Sequence, residues 1–151
     1  METKLAVFLV DGEEYGLDIA NINTVEKDFN IEYLPDSPKN VKGKIYLRGD
    51  EIPVYSLRSK FGIPEKERDK DTRLLISSVK GMPIALEVDK VNGIMDIETT
   101  DVFDLPQVIK NNNTSYIKYI AKSGGNLILL LDSDMLLDNE EINLLEELVN
   151  I

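Results

Sequence analysis

"DGEEYGLDIANINTV", Asp11–Val25, is a stretch that the chain nearly writes twice. The segment "KGMPIALEVDKVNGI", Lys80–Ile94, lies over it with Gly12 on Gly81, Tyr15 on Ile84, Leu17 on Leu86, Asp18 on Glu87, Ile19 on Val88, Ile22 on Val91 and Val25 on Ile94. The hydrophobic register is kept throughout, as a repeated supersecondary unit requires. A second match sets Gly49 on Gly125, Ile52 on Ile128, Val54 on Leu130 and Tyr55 on Leu131. The second copy therefore carries extra residues between its parts, and the polar Lys110–Ser115 loop can hold them. Two similar small β-barrels packed side by side explain the pattern, because closing a sheet removes its exposed edges. The charged run "PEKERDKD", Pro64–Asp71, has loop composition and reads as the crossover between them.

Working outward, short runs rich in β-branched and aromatic residues recur between Gly, Asn, Asp and Pro, which makes the chain mainly β. Leu5–Val10 reads as a strand and "DGEE" as a hairpin turn, with Tyr15, Leu17 and Ile19 alternating on a second strand. Ile45–Leu47 and Ile52–Tyr55 flank the turn at Gly49 and Asp50. Arg73–Val79, Ile84–Val88, Ile94–Ile97, Ile117–Ala121 and Leu127–Leu131 complete the strands. Two short helices are also expected. In "SLRSKFG", Ser56 caps, Leu57 and Phe61 share a face, and Gly62 closes the C-terminus. Near the end, Asp138 with Glu141 forms a capping box ahead of Ile142, Leu145, Leu148 and Val149 at helical spacing. The expected division is thus residues 15–65 with part of the termini, residues 72–136, and a C-terminal helix over 138–151.

Composition narrows the function. With 151 residues and 42% hydrophobic content, the chain can bury one core and fold alone. Lys and Arg number 17 against 28 Asp and Glu, a net charge of −11, which repels phosphate backbones and anionic lipid surfaces. No nucleic acid and no direct membrane insertion are expected: the longest apolar run, Leu127–Leu131, is far short of the roughly 20 residues that span a bilayer. The N-terminus lacks the length and cleavage site of a secretory signal, which points to a cytoplasmic location.

Histidine and cysteine are both absent, and with them the usual general base, the thiolate nucleophile and the common zinc ligands. No cofactor, metal or catalytic residue is expected. Neither phosphate-cradling glycine motif occurs. "DSDMLLDNEEIN" begins like a calcium loop at Asp132 and Asp134, then fails where Leu136, Leu137 and Asn143 replace ligands and the turn glycine. Glu98, Asp101 and Asp104 leave a metal-dependent enzyme as a remote alternative, since they could converge on magnesium.

A binding surface is the better expectation. Arg48 in "GKIYLRGDEIPVYSL", Gly43–Leu57, follows an apolar strand and precedes a glycine, so backbone can approach closely beside a directed, planar charge. Taken alone, the residue is better explained as a strand-end arginine paired with a local carboxylate such as Asp50.

The segments "FLVDGEEYGLDIANINTV", "VKGKIYLRGDEIPVYSLRSKFG", "ALEVDKVNGIMDI" and "NLILLLDSDMLL", in this order, resemble the CheW family of bacterial chemotaxis coupling proteins over nearly the whole chain. That resemblance implies two five-stranded, SH3-like β-barrels without catalytic activity. It also implies an adaptor bridging the cytoplasmic tips of chemoreceptors to the regulatory domain of the histidine kinase CheA. A divergent adaptor of the same kind in another signalling pathway is the alternative. By the same resemblance, the receptor groove includes Arg48, with Ile22, Gly43 and Ile94 at matching positions and Leu47 and Gly49 adjoining. Three residues depart from the family pattern: Tyr46 stands for Asn, Thr24 for an acidic residue, and Ser56 for Asp.

Overall fold

The structure is a computed structural model that describes residues 2–105 and 115–149. Along the chain run β1 (Glu2–Val10), β2 (Glu13–Asp18), β3 (Ile22–Glu26), β4 (Glu32–Tyr33), β5 (Val41–Leu47), β6 (Asp50–Ser56) and the short helix α1 (Leu57–Lys60). They are followed by β7 (Arg73–Val79), β8 (Met82–Val88), β9 (Lys90–Glu98), β10 (Val102–Asp104), β11 (Ile117–Ser123), β12 (Asn126–Leu131), α2 (Ser133–Leu136) and α3 (Asn139–Val149). Residues 106–114, which include most of the polar loop of the second copy, lie outside the described residues.

The repeat is written into the strand order. Among the described residues, the strands form two six-stranded sheets, ordered β10-β11-β12-β2-β1-β9 and β3-β7-β8-β6-β5-β4. Read from opposite ends these are one pattern, with β1 and β2 in the place of β7 and β8, and β11 and β12 in the place of β5 and β6. The registers agree residue by residue: Val7 faces Gly16 where Ile76 faces Ala85, and Ile45 faces Ile52 where Ala121 faces Ile128. Each copy, however, gives its first hairpin to the other copy's sheet. The β1–β2 hairpin sits between β12 and β9, the β7–β8 hairpin between β6 and β3, and the parallel pairs β12–β2 and β6–β8 make the joins. The two sheets therefore do not divide at Pro64–Asp71; that segment connects α1 to β7 within the span of the second sheet.

The expected closed, five-stranded barrels do not form. Both sheets are open, ending on β10 and β9 in one and on β3 and β4 in the other. Closure would require these end strands to carry a ladder on each side. With three residues in β10 and two in β4, each carries one. The opposite edges are kinked by bulges, at Asn92 on β9 and Asn23 on β3, and bulges and short strands are how open edges avoid unwanted pairing.

Strands in this arrangement are buried on both faces, which explains the nearly continuous apolar run of β1. Leu5 and Val7 face a small core inside the first sheet with Ile97, Ala121, Ile128 and Leu130. Phe8 and Val10, from the other face, enter a shared core with Leu17, Leu75, Ile84 and Leu86. The second sheet encloses Phe29, Ile45, Ile52, Val54, Leu74, Ile76 and Ala85. Each fully buried Leu, Ile or Phe contributes about 1.5–3 kcal/mol.

Local chemistry sets the ends of the helices. Ser56 accepts a bond from the Ser59 backbone N–H at 3.1 Å and so caps α1. Asp138 and Glu141 form the reciprocal capping box, each side chain accepting from the other's N–H at 2.7 and 3.1 Å. From there α3 docks Ile142 and Leu145 on the shared core. Ile19, expected on the second strand, lies instead in a 3₁₀ turn over Ile19–Asn21. Asp18 accepts from the Ala20 N–H at 2.9 Å, and a local side-chain bond of this kind ends a strand.

Candidate protein-binding site

The turn between β5 and β6 holds the arginine singled out by its sequence. Arg48 and Gly49 both have positive φ, +51° and +87°, the geometry of a tight I′ hairpin. Glycine adopts this freely, whereas a side chain costs roughly 1–2 kcal/mol there. Three other hairpins turn the same way, at Asp11–Gly12, Lys80–Gly81 and Gly124–Gly125. Two of them recover the cost by being tied down. The Asp11 N–H donates to Asp89 at 2.8 Å, and Lys80 donates through its N–H to Asp134 at 2.8 Å and through Nζ to Asn139 at 3.1 Å. Arg48 is exposed and makes no hydrogen bond or ion pair with any described residue, Asp50 included. Among the described residues, this left-handed guanidinium has no partner to offset its backbone strain.

The other residues expected in the groove are dispersed. Leu47 adjoins Arg48 and packs, half-buried, on the core of the second sheet. Ile22 stands on β3, separated from β5 in the sheet order by β7, β8 and β6, and packs against the shared core. Its backbone is steadied by the Ser77 hydroxyl, which donates to the Asn21 carbonyl at 2.7 Å. Ile94 lies on the other sheet's edge strand, 67% exposed and opposite Ala6. Gly43 is buried, and a Cβ built there would sit 2.0 Å from the Glu32 carbonyl oxygen. Its evident work is to let β4 lie against β5.

Each departure from the family pattern has a distinct setting. Tyr46 projects from β5, 64% exposed; its hydroxyl donates to Glu32 at 3.3 Å and its ring lies 5.8 Å from the Lys44 ammonium. Ser56 is the cap of α1, a role Asp fills equally well, and it donates to Glu65 at 2.7 Å. The Thr24 hydroxyl is buried with no partner among the described residues. Removing an unsatisfied buried hydroxyl without changing shape is near neutral or stabilising, so Thr24→Val should raise the free energy of unfolding by up to about 1 kcal/mol in a urea titration. A loss of stability would mean that the hydroxyl is satisfied.

A clamp that no local signal announces sits where the chain crosses between sheets. Asp89 is the single residue between β8 and β9, and its N–H donates to the Leu9 carbonyl at 3.0 Å. Arg58 of α1 grips its carboxylate with two bonds, 2.9 Å from Nε and 2.8 Å from a terminal nitrogen, and donates to the Pro64 carbonyl at 2.7 Å. Burial works against the Asp89 charge, but the Arg58 bonds and the Asp11 N–H prevail and hold the carboxyl below the usual range. A carboxyl lowered in this way adds stability above its unfolded pKa of about 3.9, and the contribution fades as pH falls through the lowered value. Asp89→Asn should therefore cost about 2 kcal/mol near neutrality and flatten the acid limb of the stability profile. An unchanged limb would remove the clamp from the account.

The resolved pKa shifts share a direction. Asp69 is drawn down to about 2 by Lys66 and by backbone N–H groups, and burial raises Tyr15 to about 12. Lys42 is raised too, its burial outweighed by Glu87, which accepts from it at 2.6 Å. Every resolved shift moves away from neutral pH, the reverse of what a general acid or base needs. Among the described residues, no three carboxylates gather closely enough to hold a metal ion, so Glu98, Asp101 and Asp104 do not converge. A cavity of about 450 Å³ opens on the first sheet beside Leu5, Ile97 and Leu130, away from the Arg48 turn. The class these observations define is a two-sheet β protein with an exposed, charged hairpin turn.

Comparison with known proteins carries this class to a family. The model of the CheW-like domain matches residues 4–141. The chemotaxis protein CheW of Thermotoga maritima is 32% identical, covering 96% of this chain and 93% of its own length, and that of Helicobacter pylori is 31% identical, covering 88% and 80%. In three dimensions, the scaffolding protein TtCheW from Thermoanaerobacter tengcongensis superposes with a TM-score of 0.85 at 33% identity, covering 93% of this chain and 96% of that one. The chain belongs to the CheW-like family. It is a non-enzymatic adaptor that couples chemoreceptors to the histidine kinase CheA.

Proposed function

We propose that this adaptor recognises the receptor tip through Arg48. The observation that carries the reading is the arginine's strained backbone together with its lack of a partner among the described residues. A helical tip offers carbonyl and carboxylate oxygens that a planar guanidinium can grip with two bonds, a charge-assisted contact strong enough to orient the helix. Ile22 and Ile94 supply apolar contacts from edge strands of the two sheets, the helix-in-groove mode, while Leu47 and Gly49 shape the turn and Gly43 lets β4 pair with β5. Tyr46, two residues before Arg48, tunes that surface by presenting a phenol tied to Glu32.

The test is titration calorimetry of the full chain against a purified receptor-tip fragment and, separately, the CheA regulatory domain. Wild type should bind both. Arg48→Ala should lose affinity for the receptor fragment and keep it for the kinase domain. Equal receptor affinity in the two chains would end the assignment.

A further inference from the structure

The bulge on β9 places an asparagine where its amide is exposed to spontaneous chemistry, and we propose that Asn92 is a deamidation site. β9 is the last strand of its sheet, so one side of its backbone has no neighbour. The ladder to β1 pairs Val91 with Phe8 and Gly93 with Val7, leaving Asn92 between them as an exposed residue without a partner. The following residue is glycine, at φ +127°, with nothing within 4 Å of where a Cβ would stand. A residue outside the ladder, exposure to solvent and a following residue with no side chain to crowd its nitrogen all favour attack on the asparagine side chain by the next peptide group.

The step needs only water. The Gly93 nitrogen loses its proton to solvent base and attacks Cγ of Asn92. The bond from Cγ to the side-chain nitrogen breaks and ammonia leaves, closing a five-membered imide. Water then opens either carbonyl of the imide, giving aspartate or isoaspartate at position 92, with no change of oxidation state.

The repeat supplies an internal control. Asn23 occupies the matching bulge on β3, between Ile22 opposite Ser77 and Thr24 opposite Ile76, and it too is exposed. Thr24 follows it, however, and a β-branched side chain crowds the approach of its own nitrogen. One fold thus holds two asparagines in the same bulge that differ in the residue after them. Conversion at Asn92 adds a negative charge two residues before Ile94, and the isoaspartate form also lengthens the backbone. If Ile94 contacts the receptor as proposed above, either product weakens that contact.

The folded full chain, incubated at neutral and at mildly alkaline pH and then digested for peptide mass mapping, tests the site without any partner. The amide-to-acid mass change should accumulate at Asn92 several-fold faster than at Asn23, and faster at the higher pH. Asn92 retaining its amide as long as Asn23 would overturn the proposal, as would a rate indifferent to pH. For the consequence, Asn92→Asp should bind the receptor-tip fragment several-fold more weakly than wild type, and unchanged affinity would remove the effect on recognition. Failure of the Arg48 assignment would leave the mass mapping unaffected, so the two readings fall separately.

Discussion

Arg48→Gly should make the protein more stable and a worse adaptor. The arginine sits at φ +51° and gains nothing inside the chain for being there, because no described residue pairs with it. Glycine at that position relieves the left-handed strain, and after allowing for its extra freedom in the unfolded chain the net gain is up to about 1 kcal/mol. The same change removes the guanidinium from the proposed receptor contact. Truncating one member of a desolvated, charge-assisted pair costs about 2 kcal/mol or more, which is over tenfold in affinity. Opposite signs from one substitution separate recognition from structure. Denaturant titration and calorimetry with the receptor-tip fragment read the two effects independently. Unchanged affinity would show Arg48 to be a bystander, and a loss of stability would show that it has an internal role. Arg48→Lys should fall between, keeping the charge but losing the planar fork.

Gly43→Ala is expected to be the most damaging single change to the fold among the groove residues. Its new Cβ would meet backbone that cannot step aside: the Glu32 oxygen at 2.0 Å, the Glu32 carbonyl carbon at 2.8 Å and the Tyr33 Cα at 3.0 Å. β4 must therefore leave β5, taking with it the Tyr46 bond to Glu32 and exposing the edge of the second sheet. A cost of about 3 kcal/mol or more follows, in the range of large backbone clashes. Gly49, in the same motif, has nothing within 4 Å of its missing Cβ, and Gly49→Ala should cost only about 1 kcal/mol, for its φ of +87°. Paired denaturation curves distinguish the two. Should Gly43→Ala unfold within 1 kcal/mol of wild type, β4 is not held as described. Any receptor binding lost by this variant would be a consequence of the lost strand.

Much of the fold was legible because it is local. The hairpin at Asp11–Gly12, the Ser56 cap, the Asp138–Glu141 box and the strand cores at Leu5–Val10 and Arg73–Val79 need only near neighbours in the chain. β3, β4 and β10 were not legible. They are short, mostly half-exposed edge strands whose pairing depends on a strand already in place, so their own residues carry little periodic signal. The candidate site divides in the same way. Arg48 and its glycine stand out in the motif, whereas the burial of the Thr24 hydroxyl and the grip of Arg58 on Asp89 depend on residues far apart in the chain and leave no pattern along it.

The amino-acid sequence by itself determined a mainly β chain, a doubled register, the turns and caps, and an arginine set in a tight glycine turn. These are outcomes of neighbouring residues and of hydrophobic alternation, and they survive whatever the distant parts do. Tertiary structure decided that the copies exchange their first hairpins, that the sheets stay open, and that no described residue pairs with Arg48. Each of these depends on which distant strand takes a free hydrogen-bonding edge, a competition among segments that no single segment records.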